Sequence, residues 1–130
     1  MKFALVLLAP AHAPSSRRAL RFAQAVISGG HQIVRLFLYQ DGVYNANLSN
    51  VAPQDEQDLS AQWRDFIEQH QLDAVVCIAA ALRRGMLDAT EAERYQRSAS
   101  NIQAPWQLSG LGQLHEANQE ADRLICFGGD

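Results

Sequence analysis

Two cysteines are the strongest nucleophiles in this sequence, Cys77 and Cys126. Cys77 follows the β-branched pair Val75 and Val76 and precedes an alanine-rich stretch that ends in two arginines and a glycine. This pattern predicts a buried strand that ends at Cys77 and a short helix that begins after it. A helix N-terminus carries about half a positive charge, and nearby cations add to it, so Arg83 and Arg84 would help to favour a thiolate at Cys77.

Each cysteine also has a structural interpretation. Free cysteine is among the most buried residue types and often acts as a small hydrophobic side chain, so a core role is the alternative for Cys77. Cys126 lies inside an apolar run, and we predict that it belongs to the core. A thiol hydrolase would need a base beside the nucleophile. His12 is the one histidine on the same predicted edge as Cys77, where it either hydrogen-bonds the thiol or is solvated in its loop.

Length and composition exclude several classes of protein. The chain has 130 residues, of which 48% are hydrophobic and 19% charged, and we predict a single domain spanning residues 1–130. A net charge of −3 argues against nucleic-acid binding. The apolar N-terminal run is too short to span a membrane. Two cysteines are too few for a disulfide framework or a structural zinc site, so we expect reduced thiols in a cytoplasmic protein.

Strand and helix patterns alternate along the whole chain, which predicts a three-layer α/β/α sandwich with a mainly parallel, five-stranded sheet of undetermined strand order. The predicted strands are 2–9, 33–39, 74–77, 106–108 and 123–127. Helices are expected from a cap at Ser15 or Ser16, from Pro53, after Cys77, around 90–94 and after Gly112. Residues 128–130 should fray.

Three loops should meet at the carboxyl edge of this sheet, where open α/β folds build their sites. They are 10–14, the polar loop 40–49 and the segment that follows Cys77. Tyr44 and Asn45 lie in the second loop and could line the approach to the thiol, although Tyr44 could equally pack between subunits. We interpret Trp63 as a core residue and Trp106 and Tyr95 as possible interface anchors.

Several segments resemble the DsrE-like sulfur-relay family, and most closely its TusD branch. They are 3–10, 42–47, 77–85, 101–103 and 108–112. The specific parts are Gly-Val-Tyr-Asn-Ala-Asn at 42–47 and Cys-x-Ala-Ala-Ala-x-Arg-Arg-Gly at 77–85. The resemblance covers nearly the whole chain and implies the DsrE-like fold.

The resemblance implies a sulfurtransferase whose active cysteine falls on Cys77. Members of this branch carry sulfane sulfur as a cysteine persulfide and relay it towards 2-thiouridine at the tRNA wobble position. They work with TusB-like and TusC-like paralogues as a dimer of heterotrimers, with a TusA-like donor and a TusE-like acceptor. No cofactor or metal is implied. The family loop after the first strand often reads Gly-Pro-x-Tyr-Gly, whereas this chain has Ala-Pro-Ala-His-Ala at 9–13, so any role of His12 would be particular to this protein.

Three other functions stay open at this point. Family members that act in dissimilatory sulfur oxidation share the cysteine and the fold. A non-catalytic scaffold subunit of such a complex is the second alternative, although retention of Cys77 argues against it. A flavodoxin-type domain that binds a small molecule is the third, and the absence of a Walker motif and of Gly-x-Gly-x-x-Gly after the first strand argues against it.

Overall fold

The computed structural model describes residues 1–128, in which helices connect five strands and two of the five α-helices lie between the third and fourth strands. The strands are β1 (Lys2–Leu7), β2 (Gln32–Leu38), β3 (Ala74–Cys77), β4 (Gln107–Ser109) and β5 (Arg123–Phe127). The helices are α1 (Pro14–Ser28), α2 (Leu59–His70), α3 (Ile78–Arg83), α4 (Ala89–Arg94) and α5 (Gly112–Glu120). A 3₁₀ helix (Gln40–Ala46) follows β2.

All four strand pairings are parallel, and the sheet order is β4-β3-β2-β1-β5. The chain steps in one direction from β1 to β4 and then returns to the far side of β1. Because parallel crossovers are right-handed, the helices before β4 lie on one face and α5 lies on the other. Phe22 of α1 packs on Phe127 with ring centroids 5.6 Å apart, and Arg35 of β2 donates to the Gln113 carbonyl of α5 at 2.9 Å on the opposite face. The predicted three-layer sandwich is confirmed.

The core is built mainly by the central strands and the helices that cover them. Burying a large apolar side chain contributes about 1.5–3 kcal/mol relative to leaving it exposed. Trp63 is fully buried, as predicted, and Trp106 is also buried, which removes it as an interface anchor. The largest fully buried apolar side chains are Trp63, Phe37, Leu5, Leu7, Leu36, Leu38, Ile67, Met86, Ile102, Val43 and Val76.

Helix α2 begins at Leu59, so the predicted start at Pro53 is wrong. The Asp58 carboxylate accepts a hydrogen bond from the Ala61 backbone N–H at 3.1 Å and caps the helix at that point. Pro53 instead opens a turn in which the Glu56 N–H donates to the Pro53 carbonyl. The acidic residues between them therefore lie in a loop ahead of the helix.

The start of α1 also differs from the prediction, because neither serine caps the helix. The N-cap residue is Ala13, Pro14 opens the first turn, and Ser15 and Ser16 lie buried within it. The Ser16 hydroxyl donates to the Ala9 carbonyl at 2.8 Å, which ties the start of α1 to the end of the first strand. The polar loop predicted at 40–49 contains the 3₁₀ helix, so that segment is more ordered than expected.

Strand β5 lies at the edge of the sheet and pairs with β1 alone within the described residues. Cys126 is exposed there, so the prediction that it belongs to the core is wrong. Cys126 is in register with Val6, on the face of the sheet against which α5 packs. Of the residues expected to fray, Gly129 and Asp130 lie outside the described part. Within residues 1–128, no helix combines the length and apolar character needed to cross a membrane.

Candidate active site around Cys77

Cys77 is the last residue of β3 and the N-cap residue of α3. The four residues of β3 are all buried, as their apolar character requires, and the alanine-rich segment after Cys77 forms the six-residue helix α3. The sequence prediction of a strand tip followed at once by a helix is therefore confirmed. This geometry sets the thiol beside the first turn of α3, at the carboxyl edge of the sheet.

The Cys77 side chain points to the sheet face that α5 covers. Arg35 contacts α5, and Phe37 lies two residues further along β2 on the same face. Phe37 is in register with Val75, and Cys77 lies two residues beyond Val75 in β3. Cys77 is only 2% exposed, so a second sulfur atom can reach it only when this edge opens locally.

Arg84 ties α3 to the 3₁₀ helix. Its Nε lies 2.8 Å from an Asp41 carboxylate oxygen, and one terminal nitrogen donates to the Ala80 carbonyl at 3.0 Å. The charge of Arg84 is thus paired with Asp41, whereas Arg83 is exposed and forms no ion pair among residues 1–128. In the same described part, neither arginine hydrogen-bonds the Cys77 thiol. Arg84 therefore holds α3 against the 3₁₀ helix, and the predicted effect of the two arginines on the thiol stays a prediction.

Asn45 has a structural role rather than the predicted place along the approach. Its side chain is fully buried, and its amide group donates to the carbonyls of Ala9 and Gly42, both at 3.0 Å, and to the Ser16 hydroxyl at 3.3 Å. These bonds join the loop after β1, the start of α1 and the 3₁₀ helix. Asn45 consequently fixes two of the three edge loops relative to each other.

Gly42 allows the 3₁₀ helix to lie directly against the end of β1. A Cβ atom at this position would overlap the backbone carbonyl of Leu7. The Asp-Gly pair at 41–42 indicated a turn in the sequence, but the close approach to β1 depends on residues far apart in the chain.

His12 and Tyr44 meet in a groove, but Cys77 does not line it. The groove has a volume of ≈ 830 Å³, and Arg17, Asp41 and Asn50 also contribute to its wall. His12 is exposed, and no hydrogen bond joins it to Cys77 among residues 1–128. The structure thus brings together two of the residues singled out in the sequence and leaves the thiol on a separate side of the carboxyl edge.

Sequence reasoning missed two residues, one at this edge and one in the middle of β2. Gln40 adopts a left-handed backbone conformation with φ 52° immediately after β2. Arg35 donates to an Asp73 carboxylate oxygen from Nε at 2.8 Å and to the Gln113 carbonyl of α5, and so fastens that helix to the sheet. An arginine inside an apolar strand was the available signal for the second residue; nothing in the sequence marked the first.

Several named proteins are similar to this chain over nearly its whole length. A sulfurtransferase TusD homolog of Pseudomonas aeruginosa is 65% identical over 100% of this chain and 99% of its own length. A putative sulfurtransferase DsrE of Allochromatium vinosum is 46% identical over 98% and 99%, and a sulfurtransferase TusD of Salmonella arizonae is 42% identical over 98% and 100%. These names are consistent with the predicted sulfur-transferring enzyme.

A solved structure shows the same fold, and a family model matches nearly the whole chain. The crystal structure of the ychN protein from E. coli superposes with a TM-score of 0.74 at 20% identity, covering 98% of this chain and 100% of that one, which shows the shared fold. The family described as DsrE/DsrF-like matches residues 1–127. The chain therefore belongs to the DsrE/DsrF-like family, as the sequence resemblance predicted.

Proposed function

We propose that this protein is a cytoplasmic sulfurtransferase subunit in which Cys77 carries sulfane sulfur as a persulfide. The observation that carries the proposal is the position of Cys77 as the residue shared by the end of β3 and the start of α3. Backbone N–H groups at the first turn of a helix favour anionic groups, and a persulfide is such a group at neutral pH. The full-length similarity to proteins named sulfurtransferases supports the same activity.

The proposed reaction is a pair of thiol–persulfide exchanges. The Cys77 thiolate attacks the outer sulfur of a donor persulfide, an S–S bond forms at Cys77, the donor S–S bond breaks, and the donor leaves as a thiolate. An acceptor thiolate then attacks the outer sulfur on Cys77, which leaves as a thiolate. One sulfur atom moves in each exchange and the number of S–S bonds stays constant, so neither exchange consumes an oxidant or a reductant.

Sulfur loading tests the role of Cys77 directly. Wild type, Cys77→Ser and Cys126→Ser are incubated with glutathione persulfide, and intact masses are recorded before and after reduction. We expect a reducible gain of sulfur in wild type and in Cys126→Ser and none in folded Cys77→Ser. Circular dichroism establishes that the serine variant is folded. Sulfur loading that persists in Cys77→Ser and is lost in Cys126→Ser would overturn the proposal. The absence of loading in all three proteins would favour a scaffold role.

For the destination of the sulfur we propose 2-thiouridine at the tRNA wobble position. The protein would work in a dimer of heterotrimers with TusB-like and TusC-like subunits, taking sulfur from a TusA-like donor and passing it to a TusE-like acceptor. The similarity at 65% identity to a TusD homolog supports this branch. The 46% identity to a putative sulfurtransferase named DsrE favours the dissimilatory sulfur pathway as the second candidate.

Nucleoside analysis of a deletion strain separates these two pathways. We expect 2-thiouridine derivatives to fall in tRNA from the deletion strain and to return with wild type but not with Cys77→Ser, because only the wild type holds the sulfur-carrying thiol. Co-purification of the tagged protein identifies the subunits that bind it. Unchanged tRNA thiolation in the deletion strain would contradict the tRNA assignment and favour the dissimilatory sulfur pathway.

A further inference from the structure

Gln40 adopts a backbone conformation that side chains other than glycine rarely take. Its φ is 52°, and the other non-glycine residues with positive φ in the described chain are Gln71 and Gln96. Gln71 is the C-cap residue of α2, and Gln96 follows the C-cap of α4, where left-handed residues are common. Gln40 instead lies between a strand and a 3₁₀ helix, so helix capping does not explain it.

The surrounding structure imposes this conformation on residue 40. The Tyr39 N–H donates to the Leu7 carbonyl at 3.0 Å, and the Gly42 N–H donates to the Tyr39 carbonyl at 2.9 Å. Asp41 is held by Arg84. A left-handed non-glycine residue is costly and persists only where its neighbours fix it, while glycine would adopt the same conformation without that cost. The fold alone therefore favours glycine at this position.

The Gln40 side chain is exposed and forms no hydrogen bond within residues 1–128. It contributes nothing visible to the fold to offset its backbone strain. Backbone strain of this kind clusters at functional sites. The side chain itself therefore needs an explanation outside the folded chain.

Gln40 lies next to the end of β3. Leu38 is in register with Val76, so Tyr39 is level with Cys77 and Gln40 follows one residue beyond. Neighbouring strands are about 4.8 Å apart and one residue adds about 3.3 Å, which puts the two backbones roughly 6 Å from each other. The 3₁₀ helix that begins at Gln40 also packs on α3. The exposed Gln40 therefore lies at the same carboxyl edge of the sheet as Cys77, one strand away from it.

We propose that Gln40 is a specificity residue of the sulfur-transfer site and hydrogen-bonds the main chain of the partner protein beside its reactive cysteine. The inference rests on the proposed function of Cys77. A glutamine amide offers donor and acceptor groups together and so matches a peptide group, whereas a bare persulfide anion would be served better by a cation. Gln40 therefore distinguishes a protein-borne thiol from a small free thiol.

The test compares Gln40→Gly with the matched control Gln71→Gly. The two residues are both exposed and have φ values of 52° and 51°. Gln40 lies at the carboxyl ends of the strands, whereas Gln71 lies at their amino ends. Each full-length variant is loaded with glutathione persulfide within the co-purified complex. Loaded protein is then mixed with either the TusE-like acceptor or free cysteine, and the rate of sulfur loss from Cys77 is measured for both.

We expect Gln40→Gly to slow transfer to the protein acceptor about tenfold, which corresponds to the loss of one or two hydrogen bonds. Its transfer to free cysteine should stay within about twofold of wild type, and Gln71→Gly should match wild type with both acceptors. Gln40→Asn keeps an amide and tolerates the left-handed backbone, so its rate with the protein acceptor should lie between those of wild type and Gln40→Gly.

Three results would overturn the inference. One is an unchanged rate with the protein acceptor for Gln40→Gly, and another is equal rates for the asparagine and glycine variants. The third is a melting temperature of Gln40→Gly below that of wild type, because the side chain would then serve the fold. Failure of the proposed function would look different, since wild type itself would not take up sulfur at Cys77.

Discussion

The two thiols of the chain occupy contrasting environments. Cys77 is buried at the end of β3, whereas Cys126 is exposed on the edge strand β5. Both side chains point to the α5 face, but three strand spacings of about 4.8 Å separate their strands. A disulfide requires Cα atoms within about 7 Å of each other. The two cysteines of one chain therefore cannot form a disulfide with each other while the sheet is intact.

Their exposure predicts the order in which the thiols react with a small alkylating reagent. Under native conditions Cys126 should react with N-ethylmaleimide at least about tenfold faster than Cys77, because thiol reactivity depends on access. Peptide mapping after timed quenching measures both rates. In urea the difference should disappear. Equal native rates would contradict the burial of Cys77 in the isolated chain.

The sequence supported a prediction for Cys77 but not for Cys126, and the reason is physical. A β-branched run that ends at a cysteine before an alanine-rich segment is local information, and it defined β3 and α3 correctly. The burial of Cys126 depends on whether β5 is a central or an edge strand, which the residues of β5 do not encode. The Arg84–Asp41 pair similarly joins residues 43 positions apart, beyond the reach of spacing arguments.

At the scale of elements, the 3₁₀ helix positions the carboxyl edge of the sheet. Gly42 brings it against β1, Asn45 bonds it to the loop after β1, and Asp41 pairs with Arg84 after α3. All these contacts are long-range, which explains why the sequence predicted only a polar loop here. Four of the five strands were predicted because their apolar runs are local and continuous, whereas β4 has the sequence Gln-Leu-Ser and only a short apolar pattern around it.

Gly42→Ala tests the importance of this packing. We expect the free energy of unfolding to fall by about 3 kcal/mol or more, since the new methyl group meets the Leu7 backbone and no rotamer relieves the overlap. Gly110→Ala is the matched control, because a Cβ atom there meets nothing within 4 Å. Its unfolding free energy should stay within about 0.5 kcal/mol of wild type. Urea denaturation gives both values, and equal stability of the two variants would contradict the described packing.

At the scale of the whole molecule, the sheet order decides which helices share a sheet face with Cys77. The return of the chain from β4 to β5 leaves α5 as the covering helix of one face, and Cys77 points to that face. The groove with His12 and Tyr44 lies apart from the thiol. We therefore expect sulfur donors and acceptors to approach the carboxyl end of β3, between Gln40 on one side and the β4–α5 loop on the other. Strand order is a property of the complete chain, so local patterns predicted the three layers but not the sheet face to which Cys77 points.

The most direct test of the central claim locates the carried sulfur on a peptide. The two cysteines fall on different tryptic peptides, 65–83 and 124–130. Protein isolated with its partner subunits is treated with an alkylating reagent that traps persulfides, digested and analysed by mass spectrometry. The account predicts the additional sulfur on 65–83, at Cys77, and its loss on addition of the acceptor protein. Additional sulfur confined to 124–130, or on neither peptide, would contradict it.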